Sequence, residues 1–156
     1  MNLFAHIHHL IISAVETLVD SGKLPQLSAE TTSKITCEPP KEAKFGDMST
    51  NAAMVLAKPC STNPRAIAEL IMPELAKCSE IASSTIAGAG FINLTLEVSE
   101  WHKIVKSIDA LGTAYGNSTV GENEPVNVEY VSPNPTGPMH IGHGRCAAVG
   151  ATLAEI

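Results

Sequence analysis

His140 and His143 are separated by two residues in Met139-His140-Ile141-Gly142-His143, behind the loop Ser132-Pro133-Asn134-Pro135-Thr136-Gly137-Pro138. Two imidazoles at that spacing, in the first turn of a helix, can reach one phosphate group. The free backbone N–H groups of that turn and the positive end of the helix dipole favour the same anion. Gly142 carries no side chain, so a flat base can pack close to the backbone there. Together these residues suit a nucleoside triphosphate. Two histidines at a helix start can also be satisfied by local hydrogen bonds alone. The co-occurrence of strand, rigid loop, glycine and both histidines, in the order a strand–loop–helix site needs, favours chemistry.

Positioning such a site requires a strand before the loop and a helix after it. Val126 to Val131 reads as that strand, and the helix runs from the histidines to the end of the sequence without a stop signal. A nucleotide fold needs further strands and helices to form its crevice. The expectation is one small complete domain followed by the first strand and helix of a second.

The run Ser132-Pro133-Asn134-Pro135-Thr136-Gly137-Pro138-Met139-His140-Ile141-Gly142-His143-Gly144-Arg145 resembles the first signature of the class I aminoacyl-tRNA synthetases, specifically the arginyl-tRNA synthetases. Upstream, Phe45-Gly46-Asp47-Met48-Ser49-Thr50-Asn51, Asn63-Pro64-Arg65-Ala66-Ile67-Ala68 and Ala87-Gly88-Ala89-Gly90-Phe91-Ile92-Asn93-Leu94 are similar, in the same order, to that family's N-terminal additional domain. Ala89 departs from the proline that many members carry between the two glycines. The implied fold is an α+β N-terminal additional domain, then the beginning of an α/β Rossmann-like catalytic domain. The boundaries expected are 1–112 for the first, 113–125 for a linker and 126–156 for the second.

The resemblance implies ATP-dependent activation of arginine to arginyl-adenylate and its transfer to tRNA(Arg), with Mg²⁺ accompanying ATP and the full-length enzyme a monomer. His140 and His143 are the catalytic pair. Pro133, Ile141 and Gly142 join them in holding ATP. Glu129, Ser132 and Asn134 fall where the family lines its arginine pocket. A cationic substrate calls for a carboxylate, and its α-amino and carboxylate groups call for small hydrogen-bonding side chains. Arg145 could serve phosphate or brace the helix. Phe91 and Asn93 match positions that touch the outer corner of the tRNA. Strand alternation puts both on one face, where asparagine argues against a core role, although an aromatic alone would suit a core. A K-M-S-K-type loop and an all-helical tail are expected downstream, and the 156 residues alone are expected to be inactive. A small-molecule nucleotidylyltransferase or a non-catalytic tRNA-binding paralogue are the alternatives.

Composition narrows these. With 44% hydrophobic residues the chain can bury a core. A net charge of −6 counts against a module that grips nucleic acid mainly through phosphates and leaves room for a small contact patch, with most of the electrostatic grip elsewhere in the full-length protein. Cys37, Cys60, Cys78 and Cys146 form no C-x-x-C pair, so free thiols in a reducing cytoplasm are expected, without disulfide or zinc. His6 and His9 lie three apart without a third ligand nearby, so no metal site is expected. Neither a signal peptide nor a membrane span is read from the sequence.

Elements follow from periodicity and punctuation. Leu3, Phe4, Ile7, Leu10, Ile11, Ala14, Val15 and Leu18 mark an amphipathic helix closed by Ser21-Gly22. Lys34 to Glu38 reads as a strand. Asp47 or Ser49 would cap a helix from Thr50 to Ala57, and Asn63-Pro64 opens another that Pro73 should kink or split. Ile81 to Ala87 and Phe91 to Leu96 read as strands around a Gly-Ala-Gly turn. Ser99 would cap a helix from Glu100 to Leu111 with Trp101, Ile104, Val105 and Ile108 inward.

Overall fold

The computed structural model describes residues 2–155. The chain divides into two compact units, Met1–Ser107 and Ile108–Ile156, the division falling inside one helix. The first unit begins with α1 (Leu3–Asp20), whose Asn2 side chain accepts from the Ala5 N–H at 3.2 Å. Ile7, Ile11 and Leu18 on its apolar stripe are fully buried. At its C-terminus Gly22 adopts φ +72° and donates to the Val19 carbonyl, while Lys23 donates to that of Leu18, which satisfies two of the last free carbonyls. By length and composition α1 is apolar enough to cross a membrane, but its stripe is consumed by the protein core.

After α2 (Ala29–Thr32) come β1 (Cys37–Glu38), a 3₁₀ turn (Ala43–Phe45), β2 (Met48–Thr50), α3 (Ala52–Ala57), α4 (Pro64–Leu75), β3 (Ile81–Ala87) and β4 (Phe91–Leu96). The four strands form one antiparallel sheet in the order β1-β2-β4-β3. Helices α1, α3 and α4 pack together, and the core lies between them and one face of the sheet. Met48, Ile92 and Leu94 from the sheet meet Leu56, Ile67, Ile71 and Leu75 from the helices, all fully or almost fully buried. The β3–β4 hairpin turns at Gly88-Ala89-Gly90 as expected. Gly90 has φ +132°, and a Cβ there would fall 2.5 Å from Cβ of Pro64, so the glycine lets the hairpin approach the start of α4.

Several expectations are corrected. The first strand is only Cys37–Glu38. The Lys34 and Ile35 N–H groups donate back to Thr31 and Thr32 behind α2, and the Asn51 side chain takes the place of a strand partner. Its amide donates to the Lys34 carbonyl at 3.1 Å and accepts from the Thr36 N–H at 2.8 Å. Gly46-Asp47-Met48-Ser49 is no helix cap: Met48 to Thr50 is an inner strand, because Met48 and Thr50 both point into the core. Asp47 instead clamps β4, its N–H donating to Leu94 and its carboxylate accepting from the Leu96 N–H, both at 2.8 Å. Helix α3 starts at Ala52, whose N–H donates to the Thr50 hydroxyl at 3.2 Å.

Helix α4 runs unbroken through Pro73, which lies in its last turn, where the missing N–H forfeits a single bond. The next helix, α5 (Val98–Leu111), begins before Ser99, so Ser99 is not its cap. Its supposed inward face is inverted. Trp101, Val105 and Ile108 are exposed, Ile104 is half-buried against the core, and Glu100 is buried with Oε1 accepting from Lys103 at 2.6 Å.

In the second unit a 3₁₀ turn (Gly112–Ala114) leads to α6 (Ile141–Glu155). Residues 126–131 form no strand among the described residues, contrary to expectation. A strand is held by a hydrogen-bonded neighbour, and no segment pairs with this one; Val131 moreover has φ +55°, outside the extended region.

Candidate functional site

The α6 start is built by its own histidines. The Gly142 N–H donates to His140 Nδ1 at 3.1 Å, so the imidazole satisfies one of the free N–H groups of the first turn. The His140 N–H donates to His143 Nδ1, also at 3.1 Å. The two rings lie 4.0 Å apart between centroids, 21° from parallel. Each Nδ1 accepts a hydrogen bond from a backbone N–H and so carries no hydrogen of its own. The neutral rings are therefore held in the tautomer with hydrogen on Nε2, leaving two Nε2–H donors free of these local bonds. A Cβ on Gly142 would meet His140 Cε1 at 2.9 Å, so what fills the open side of this glycine is the His140 ring itself.

Glu129, Ser132 and Arg145 line one cleft of about 580 Å³, formed by residues 128–132 and one side of α6. The Ser132 hydroxyl donates to Glu129 Oε1 at 2.5 Å, which fixes the carboxylate where the sequence places it. Asn134 is not brought into that cleft; its carbonyl accepts from the Thr136 N–H at 2.8 Å in the proline loop. Pro133 is half-buried and Ile141 is exposed. Sequence reasoning passed over Gly150. A Cβ there would lie 2.3 Å from Cβ and Cγ of Tyr130, so the cleft wall depends on the missing side chain. The spacing of Cys146, Val149, Gly150 and Leu153 along α6 was the available signal.

In the first unit, Phe91 and Asn93 share one cleft of about 460 Å³ on the sheet face that carries no core. Phe91 is 42% exposed, whereas Asn93 is only 6% exposed. Neighbouring Cys37 is half-buried. Burial, and then the charge of Glu38, pushes its thiol from 9.0 up to about 11. No group of three His, Cys, Asp or Glu suited to a metal occurs among the described residues.

A family model described as the arginyl tRNA synthetase N terminal domain matches residues 5–96. The arginine–tRNA ligases of Rhodospirillum rubrum and Paracoccus denitrificans are each 48% identical to this chain over its whole length, and that of Novosphingobium aromaticivorans 49%. The chain spans 26% of the length of each. The crystal structure of arginyl-tRNA synthetase from Plasmodium falciparum matches 97% of this chain and 27% of that one with a TM-score of 0.61. At 18% identity this is a likeness of fold. With the family model covering more than half of its residues, the chain belongs to the arginyl-tRNA synthetase family.

Proposed function

We propose that this chain supplies the tRNA-corner contact and the first ATP-binding signature of an arginine–tRNA ligase. The observation that carries this reading is the stacked pair His140 and His143, each Nδ1 taken by a backbone N–H, each Nε2 free to donate. In the reaction an arginine carboxylate oxygen bonds to the α-phosphorus of ATP. The bond from that phosphorus to the oxygen bridging to the β-phosphate breaks, and pyrophosphate leaves. A terminal ribose hydroxyl of tRNA(Arg) then attacks the arginyl carbonyl carbon, the bond from that carbon to the phosphate oxygen breaks, and AMP leaves. Phosphoryl oxygens gain charge in the first step, and two preorganised Nε2–H donors stabilise that charge without reorganising.

Glu129, oriented by Ser132, is the partner for the guanidinium of arginine. Asn134, Pro133, Ile141 and Gly142 complete the arginine and ATP contacts in the proline loop and first helical turn. Phe91 and Asn93 receive the tRNA, the ring stacking on an unpaired base and the amide meeting its edge. Mg²⁺ would arrive with the ATP phosphates, and no step and no protein ligand is assigned to it. The cytoplasm is the compartment proposed.

ATP–pyrophosphate exchange with arginine and tRNA(Arg) tests the reading. A protein extended to the length of its relatives should exchange, and the 156 residues alone should not. Turnover clearly above background by the short chain, or none by the extended one, would refute it.

A further inference from the structure

Two opposite charges line one cleft without neutralising each other. Glu129 and Arg145 both belong to the wall of the cleft of about 580 Å³ formed by residues 128–132 and α6. Among the described residues neither forms an ion pair, with the other or with any third group. The Ser132 hydroxyl occupies Oε1 of the carboxylate, and Arg145 is exposed. A carboxylate and a guanidinium that share a small cleft and stay apart leave each free for a ligand of the other sign. The lining also includes the apolar side chains of Val128, Val149 and Leu153. Arg145 stands two positions after His143, near the start of α6.

We propose that Arg145 is a specificity-determining residue for the amino acid, holding the α-carboxylate of arginine while Glu129 takes its guanidinium. The proposal rests on the reading that Glu129 serves the guanidinium. A cleft with one fixed charge of each sign and apolar side chains in its wall fits a ligand with a cation at one end, an anion at the other and a methylene stem between them. Arginine has that form. The Glu129 carboxylate only accepts and the Arg145 guanidinium only donates, so the two ends of the ligand cannot be exchanged. If Arg145 holds one oxygen of the α-carboxylate, the other is left to attack the α-phosphorus. A phosphate of ATP is the competing anion for Arg145, and it would tie this residue to the affinity for ATP instead of arginine.

The test compares arginine with agmatine, which is arginine without its carboxylate, by equilibrium dialysis on a protein extended to the length of its relatives. Arg145→Met keeps an apolar stem and removes the charge. Its affinity for arginine should fall about tenfold or more, the scale of one hydrogen bond between charged groups. Agmatine should bind that variant as it binds wild type or more tightly, since a repelling cation has gone. Arg145→Lys, which keeps the charge but loses the planar fork, should lose less arginine affinity than Arg145→Met. Glu129→Gln should weaken both ligands. A variant that is only destabilised loses both ligands alike, so the ratio of the two affinities is the measure, and Arg145→Gln repeats it with a second uncharged side chain. If the ratio keeps its wild-type value in Arg145→Met and Arg145→Gln while Glu129→Gln weakens both ligands, the role of Arg145 is overturned and the reading of Glu129 stands. A KM for ATP that rises in Arg145→Met with the ratio unchanged overturns it too, in favour of a phosphate contact. If Glu129→Gln binds both ligands as wild type does, the reading of Glu129 fails and this proposal with it.

Discussion

Gly150 on α6 and Tyr130 in the preceding segment approach so closely that a Cβ on the glycine would lie 2.3 Å from Cβ and Cγ of the tyrosine. That contact sets the distance between the helix carrying His143 and the segment carrying Glu129. Gly150→Val should therefore widen the cleft, at a cost of roughly 1–3 kcal/mol for overpacking. Hydrogen exchange on the variant should show lost protection in α6, with the core helices α1 and α4 unaffected. Unaltered protection across α6 would mean that the contact does not hold the helix in place.

The histidine tautomers give a sharper expectation than loss of activity alone. In the extended enzyme, His140→Ala and His143→Ala should each slow adenylate formation by about 10²–10³-fold, the usual cost of a preorganised donor, with little change in arginine binding. Because Nε2 is the free donor, glutamine, whose amide nitrogen can reach that position, should recover part of the rate. Asparagine, whose amide matches Nδ1, should not. Pre-steady-state measurement of adenylate formation decides this, and equal rates for the Gln and Asn variants would contradict the assigned geometry.

How much of this could be read beforehand depended on whether a signal was local. The α1 stripe, the Asn63-Pro64 helix start and the β3–β4 hairpin are written in short-range periodicity and turn chemistry, and they stand where expected. Met48 to Thr50 carries the letters of a cap, but pairing with β4, more than forty residues away, makes it a strand. Asn51 standing in for a strand partner of Lys34 and Thr36 is likewise a long-range event with no local trace. The apolar positions of α5 were legible as a stripe; the direction it faces was not, because periodicity fixes a face without fixing what covers it. At the site, the placement of Phe91 and Asn93 on one face of their strand was legible from alternation. The mutual capping of the two histidines required coordinates.

Residues up to Asn117 should fold without the rest. Every member of the buried core cluster lies between Leu3 and Leu96, so truncation at Asn117 removes none of it. The shortened chain should show one cooperative thermal transition, close to the wild-type value. A molten product at neutral pH would show that the first unit depends on residues beyond the cut.

Cys37 makes the alkaline limb of stability testable. Burial, reinforced by the adjacent Glu38 charge, pushes its thiol from 9.0 up to about 11 in the folded chain. Between those values the unfolded chain releases the proton while the folded one keeps it. The unfolded state then binds fewer protons, so stability falls as pH rises from about 9 and levels off above about 11. Burial raises Cys60 and Cys78 in the same direction, and they add to the same limb. Cys37→Ser should make the thermal midpoint less steep between pH 8 and pH 10.5 without flattening it completely. Iodoacetamide should label exposed Cys146 well before Cys37, since the thiolate is the reacting species. A Cys37→Ser variant with the wild-type slope, or Cys37 labelled as fast as Cys146, would show that this thiol is neither shielded nor raised.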